Sequence, residues 1–202
     1  MQVLLTTKRL ILRRFTAADA EHLFELDNDS EVMRYINGGT PTSLEIIEQK
    51  ILPVFLRYDD RFPGFGFWAA IEKNSHEFLG WFVFRSAGEN PQEVEIGYRF
   101  HKRAWGLGYA TEGARALIDK GFREGGATCV TGTTYEENQS SRRVLEKLGM
   151  KFRRSFRITS QDFVKMDTSH TTSAEVWDGD DLEYSLEKTE WEKVTSRHDT
   201  ER

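Results

Sequence analysis

Apolar positions along the chain change their spacing repeatedly, and each change predicts an element. Arg9-Leu-Ile-Leu-Arg-Arg-Phe15 alternates as a strand does, and Thr16 with Asp19 three residues later forms a capping box ahead of Ala20, Leu23 and Phe24. Asp27 to Ser30 interrupts that helix. Ser30 can cap a second short one through Tyr35, ended by Asn37-Gly-Gly39. Thr42-x-x-Glu45 opens a third helix with Leu44, Ile47, Ile51, Val54 and Phe55 on one face, which Pro53 should kink or shorten. From Phe65 the pattern becomes extended. Phe67–Ile71, Phe78–Arg85 and Glu93–Phe100 predict an antiparallel meander, with Gly97 inside the third strand as a bulge or a place of close ligand approach. Helical spacing returns at Ala110, Ala114, Leu117, Ile118, Gly121 and Phe122. Thr128–Thr133 then reads as a buried strand, parallel to the neighbour it reaches through a helix. Asn138 to Gly149 has a polar start, an apolar face of Val144, Leu145 and Leu148, and a glycine stop. Lys151–Ile158 and Leu182–Leu186 are closing strands. From about Val194 the chain is charged and should fray.

The stretch that departs from plain patterning is His101-Lys-Arg-Ala-Trp105-Gly-Leu-Gly-Tyr-Ala110-Thr-Glu. Gly106 and Gly108 let the backbone turn tightly and aim successive N–H groups at one point before a helix N-terminus, and Arg103 adds positive charge. That arrangement suits phosphates. A dinucleotide fold would want glycine at position 111, which is Thr, and an acid some twenty residues on. A triphosphatase loop would want Gly-Lys-Ser/Thr, which is absent. A tight turn that binds nothing is the plain alternative.

Composition narrows the partners. The chain has 202 residues, enough for one full core, and a formal charge of −5. No basic stripe points to nucleic acid. The single cysteine, Cys129, cannot form an internal disulfide, and no apolar run approaches the roughly 20 residues that span a bilayer. Nor does the N-terminus carry a signal-peptide segment, so a cytoplasmic protein is expected. The five histidines show no metal-ligand spacing and no metal is expected; His101 reads as a solvated loop residue.

Arg103-x-x-Gly106-x-Gly108, followed at the right separation by Asn138-x-x-Ser141 and Val-Leu-Glu-Lys-Leu-Gly, resembles the GNAT N-acetyltransferases. Thr7-Lys-Arg-Leu-Ile-Leu-Arg13, Glu95-Ile-Gly-Tyr98 and Leu182–Trp191 resemble the Rim-type branch, which includes ribosomal-protein N-terminal acetyltransferases. The resemblance implies a single α/β domain over residues 1–193, with 194–202 as a tail. It also implies a mixed, mostly antiparallel sheet flanked by helices and splayed between the strands counted here as fourth and fifth, carrying Glu95–Phe100 and Thr128–Thr133. Acetyl-CoA would lie in that gap. By the same resemblance Tyr98, Phe100, the run Arg103, Ala104, Trp105, Gly106, Leu107, Gly108, Tyr109, Ala110 and Thr111, and then Asn138, Ser141 and Arg142 would form the donor site. The N–H groups from Arg103 to Tyr109 would hold the pyrophosphate, Asn138 would bind the pantetheine, and an N–H near Tyr98 would polarise the thioester carbonyl.

An amine attacking a thioester must lose a proton, so a carboxylate, or a water held by one, should stand close. Glu95, in an otherwise apolar run, is the candidate base; a solvated strand-face acid is the plain reading, and Glu93 shares its face. Ser141 is the donor that the resemblance implies for the departing thiolate, against an ordinary first-turn residue. Cys129, mid-strand with no neighbouring histidine, reads as core rather than nucleophile. Tyr35, Phe62, Phe65, Phe67, Trp68 and Trp105 mostly build core, one or two lining the acceptor mouth; Asp27, Asp29 and Glu31 fall in the loop that borders the acceptor side in related folds and could attract an amine, though a solvated acidic loop explains them equally well. The acceptor stays open among a protein α-amine, a small polyamine or amino-acid-like molecule, and an aminoacyl group. A CoA-binding sensor or scaffold without turnover is the alternative function, and a homodimer is compatible with the sequence.

Overall fold

This computed structural model describes residues 2–57, 65–86, 90–157 and 179–200. Among these residues eight strands form one sheet: β1 (Val3–Thr6), β2 (Leu10–Arg14), β3 (Gly66–Glu72), β4 (Phe78–Ser86), β5 (Glu93–Phe100), β6 (Cys129–Tyr135), β7 (Lys151–Phe156) and β8 (Asp181–Glu187), in the order β1-β2-β3-β4-β5-β6-β8-β7. All neighbours are antiparallel except β5 and β6, whose connection runs through a helix. The edge strand β1 is not marked by alternation in the sequence. It moves the strand carrying Glu95 to fifth place and its parallel partner to sixth.

The pleat sorts side chains to two cores. Trp68, Ala70, Phe82, Phe84, Val94 and Ile96 pack on one face beneath α5 (Tyr109–Arg123) and α6 (Gln139–Lys147), meeting Ala114, Leu117, Ile118, Phe122 and Leu145. Phe67, Ala69, Ile71, Trp81 and Val83 pack on the other, beneath α1 (Ala20–Asp27), α2 (Ser30–Asn37), α3 (Leu44–Ile46) and α4 (Leu52–Arg57). β3 and β4 are therefore apolar on both sides, which is why their sequences read as continuous rather than alternating runs.

The starts of α2 and α3 lie one residue from where the sequence places them. Asp29, not Ser30, caps α2 by accepting the Glu31 N–H at 2.9 Å, and Ser43, not Thr42, caps α3 by accepting the Ile46 N–H at 3.3 Å, while Thr42 is buried. Pro53 does not break its helix. Instead a π-turn over Ile47–Ile51 joins α3 to α4, the Leu52 N–H reaching back to Ile47 O just before the residue that has no N–H to give. A final helix, α7 (Lys188–Thr200), runs on through the segment from Val194 that was expected to fray, and Trp191 anchors its start through Nε1 to Asp119 at 2.6 Å and ring contact with Phe122. No helix among the described residues is long and apolar enough to cross a membrane.

The Thr16 capping box forms, and Asp19 also receives a two-pronged bond from Arg13, at 2.8 and 2.6 Å, with only 2 % of its side chain exposed. Burial pushes the Asp19 carboxyl up, but the hydrogen bonds from Arg13 and Thr16 outweigh it and hold it at about 2, against an ordinary 3.8. A lowered carboxyl contributes stability above its unfolded value that is lost as pH falls through the folded one, here worth about 2 kcal/mol. Asp19→Asn should therefore lower stability to urea at pH 6, with the gap from the parent shrinking between pH 4 and pH 2. A gap of constant size across that range would refute the assignment.

Candidate functional site

Two features of the backbone build the site. The first is the end of the parallel pairing. Glu93, Val94 and Glu95 pair with Cys129, Val130 and Thr131, and no pairing follows, although β5 continues to Phe100 and β6 to Tyr135. The strands diverge past Glu95. On β5 the odd residues face β4, since the His101 N–H bonds Leu79 O, whereas Gln92 O faces β6, accepting the Thr128 N–H at 2.9 Å. By alternation the main-chain groups of Ile96 and Tyr98 point into the opening. Gly97 is not a bulge: β4 and β5 stay in register through it, and it is glycine because a Cβ would come 2.8 Å from Val83 Cγ1.

The second feature is the cradle. A 3-10 turn over Lys102–Ala104 uses the N–H groups of Ala104 and Trp105 on His101 O and Lys102 O, so these two are not available to an anion, contrary to the expected span. The N–H groups from Gly106 to Thr111 bond no main-chain carbonyl among the described residues, the first helical bond being Glu112 N–H to Gly108 O. Gly106 and Gly108 are left-handed, at φ 72° and 84°. Trp105, 45 % exposed, folds its indole back to Phe100 O at 2.8 Å, and Leu107 is exposed, while Phe100, Ala104 and Tyr109 are buried. Ala110 and Thr111 are half-buried in the first turn of α5.

Charge at the cradle comes from an unexpected residue. Arg103 turns away, Nη2 bonding Phe78 O at 3.0 Å and Nε lying 3.9 Å from Glu77. Arg9, from the loop between β1 and β2, reaches in instead: Nη1 donates to Leu107 O at 2.8 Å, Nε to Glu112 at 2.7 Å, and the guanidinium covers the Tyr109 ring at 4.3 Å. His101 is buried rather than solvated, edge-on to Phe78; burial, with Arg103 nearby, pushes its imidazole down and keeps it neutral.

Across the opening, the Tyr98 hydroxyl lies 3.1 Å from Ser141 Oγ and 3.2 Å from Ser141 O. Burial pushes the Tyr98 hydroxyl well up, so it stays protonated. Asn138 caps α6, its Oδ1 accepting the Ser141 N–H at 3.1 Å, which leaves its NH2 without a partner among the described residues. Arg142 stands on the flank of α6 that faces β8, donating to the Tyr184 hydroxyl at 3.3 Å and to Glu136 O at 3.2 Å, and it lines a separate cleft of about 930 Å³ with Tyr184, Glu146 and Phe152. It does not join Tyr98 and Ser141.

Glu95 is on the opposite face of β5 from Tyr98, and its surroundings are not apolar: Arg85 Nε donates to it across the β4–β5 pair at 3.0 Å. Glu93, on the same face, is taken by Arg153 at 2.6 Å. Cys129 is buried, and burial with the neighbouring Glu187 pushes its thiol up to about 12, so it cannot serve as a nucleophile near neutrality. Phe65, Phe67 and Trp68 are core, while Tyr35 meets Tyr135 at 6.0 Å beside the opening. Asp27 is buried against Arg99 at 2.6 Å and so cannot attract a substrate, and Glu31 is paired with Lys102. Phe62 and residues 158–175 lie outside the described residues.

A cradle of left-handed glycines ahead of a helix, opening onto strands that part beside an amide and two hydroxyls, fits an elongated thioester bearing a pyrophosphate. Comparison with known proteins agrees. The sequence model of the acetyltransferase (GNAT) domain matches residues 9–151. The chain is 32% identical over 198 residues to an FsC-acetyl coenzyme A-N(2)-transacetylase of Aspergillus fumigatus, covering 94% of this chain and 78% of that one. Among solved structures, a GNAT-family acetyltransferase from Bacillus anthracis superposes with a TM-score of 0.70 at 28% identity, covering 94% and 99% of the two chains. RimL, a ribosomal L7/L12 α-N-protein acetyltransferase solved with coenzyme A, shares the fold with a TM-score of 0.71 at 16% identity, covering 92% and 98%.

Proposed function

Since the chain belongs to the GNAT acetyltransferase family and is an acetyl-CoA-dependent N-acetyltransferase, we propose that it acetylates a primary amine by direct attack within a ternary complex. The observation that carries this reading is the opening past Glu95, with Glu95 on one face of β5 and the Tyr98–Ser141 pair on the other. A thioester lying in the opening is accessible from both faces. The amine approaches on the Glu95 side, where the carboxylate takes its proton directly or through a water, while the new N–C bond forms and the C–S bond breaks. On the other side Ser141, hydrogen-bonded to the Tyr98 hydroxyl, gives a proton to the departing thiolate, and the Tyr98 N–H in the opening polarises the carbonyl. The Asn138 NH2 holds the pantetheine, and the N–H groups from Gly106 to Thr111 hold the pyrophosphate.

Two of the named relatives are named for different amines, one for FsC at N(2) and the other for a protein α-amine, and both are primary-amine chemistry in this reading. A panel of short peptides with free N-termini and of small diamines and amino-acid amides, followed by release of the CoA thiol, separates the two classes. Ser141→Ala is expected to lower kcat about tenfold with little change in the KM for acetyl-CoA, since a thiol leaving group needs only partial help. Full kcat in that variant would remove Ser141 from the proton path.

A further inference from the structure

The loop before β2 is tied to the cradle and to the start of α5 by hydrogen bonds. The Glu112 carboxylate, in the first turn of α5, accepts the Thr7 hydroxyl at 2.6 Å, the Arg9 N–H at 2.7 Å and Arg9 Nε at 2.7 Å. Burial acts to raise the Glu112 carboxyl, yet these bonds hold it below its ordinary value, so the pair stays charged. Lys73 Nζ bonds Thr7 O, and the Tyr109 hydroxyl bonds Glu72, fixing both ends of the network to the end of β3 and the turn after it. With Nε fixed on Glu112 and its plane against Tyr109, the Arg9 fork presents Nη1 to one atom of the glycine loop, Leu107 O, at 2.8 Å.

That contact decides which way the cradle faces. In a trans peptide the C=O and the following N–H point in opposite directions. Anchoring Leu107 O on Arg9 therefore turns the Gly108 N–H to the other side, away from Arg9, and Gly108 is in the left-handed conformation that this orientation demands. Without the anchor the Leu107–Gly108 peptide is in an exposed turn that bonds nothing else to that carbonyl among the described residues, and it can rotate.

We propose that Arg9, held by Glu112, which Thr7 also binds, is a positioning residue for the donor: its fork fixes the Leu107–Gly108 peptide so that the N–H groups of the cradle converge on the pyrophosphate. This rests on the donor site given above. A lysine at position 9 would keep the charge but lose the fork that engages Glu112 and Leu107 together.

The test is calorimetric titration of the parent, Arg9→Ala and Arg9→Lys with CoA, with 3′-dephospho-CoA, which keeps the pyrophosphate, and with pantetheine, which lacks it. Both variants should bind CoA and 3′-dephospho-CoA about tenfold or more weakly, by the same factor, and pantetheine within about twofold of the parent. Pantetheine weakened in proportion would mean that Arg9 merely supports the fold. Loss with CoA but not 3′-dephospho-CoA would mean that it contacts the 3′-phosphate itself, and full affinity in Arg9→Lys or unchanged binding in both variants would show that the fork is not needed. Each of these overturns the proposal. A parent that bound none of the three would overturn the donor site, and the proposal with it. Should Arg9→Ala fail to fold, Arg9→Lys, which retains the stem and charge, decides alone.

Discussion

Gly108→Val is expected to abolish saturable binding of acetyl-CoA while leaving a folded protein. Space is not the obstacle, because a Cβ at position 108 would meet only Arg9 Nη2, at 3.4 Å, an ordinary contact distance. The backbone is the obstacle. At φ 84° and ψ 5° a β-branched residue pays on the order of 1–2 kcal/mol, and it escapes by rotating the Leu107–Gly108 peptide. That rotation breaks the Leu107–Arg9 bond and turns the Gly108 N–H out of the cradle. Because the loop is exposed, the strain is relieved there rather than in the core, so stability to urea should fall by no more than about 2 kcal/mol. Binding should weaken about a hundredfold or more, since several convergent N–H groups are misdirected together. A titration matching the parent would show that the glycine turn is structural only.

Glu95→Gln should lower kcat about a hundredfold with little change in the KM for acetyl-CoA, because a general base acts in the transition state and not on the bound donor. The structure makes this a sharper test than the sequence does. Glu93 shares the face and, like Glu95, has an arginine partner, but it opens the paired segment, whereas Glu95 is its last residue, where the strands part. Glu93→Gln is therefore the control and should turn over at close to the parental rate. Equal loss in the two variants would indicate a general effect of removing acidic charge, and a Glu95→Gln enzyme within about twofold of the parent would show that water alone accepts the proton.

The elements nearest the chemistry were legible because their signals are local. Extended apolar runs defined the meander from Phe67 to Phe100, glycine spacing defined the cradle, and Asn138 and Gly149 marked both ends of α6. What was not legible depends on contacts distant in sequence. Nothing local says that Arg103 will turn to Phe78 while Arg9 crosses to Leu107, or that the Tyr98 hydroxyl will meet Ser141. His101 looked like a loop residue because its burial comes from Phe78 on another strand. The Glu95 surroundings were misread for a related reason: Arg85 is its cross-strand partner, and pairing register is not written in one strand. Arg9 stands at the foot of β2 and Glu112 in the first turn of α5, and only the fold brings the two together.

Amine-dependent release of the CoA thiol tests the central claim most directly, measured with acetyl-CoA and the primary-amine panel, with Gly108→Val as the blank. The account predicts that at least one class of primary amine accelerates release severalfold over the amine-free rate, that the product is the N-acetylated amine, and that the blank shows neither. Release at the same rate with and without every amine, or an acetyl group retained on the protein, would contradict direct transfer in a ternary complex.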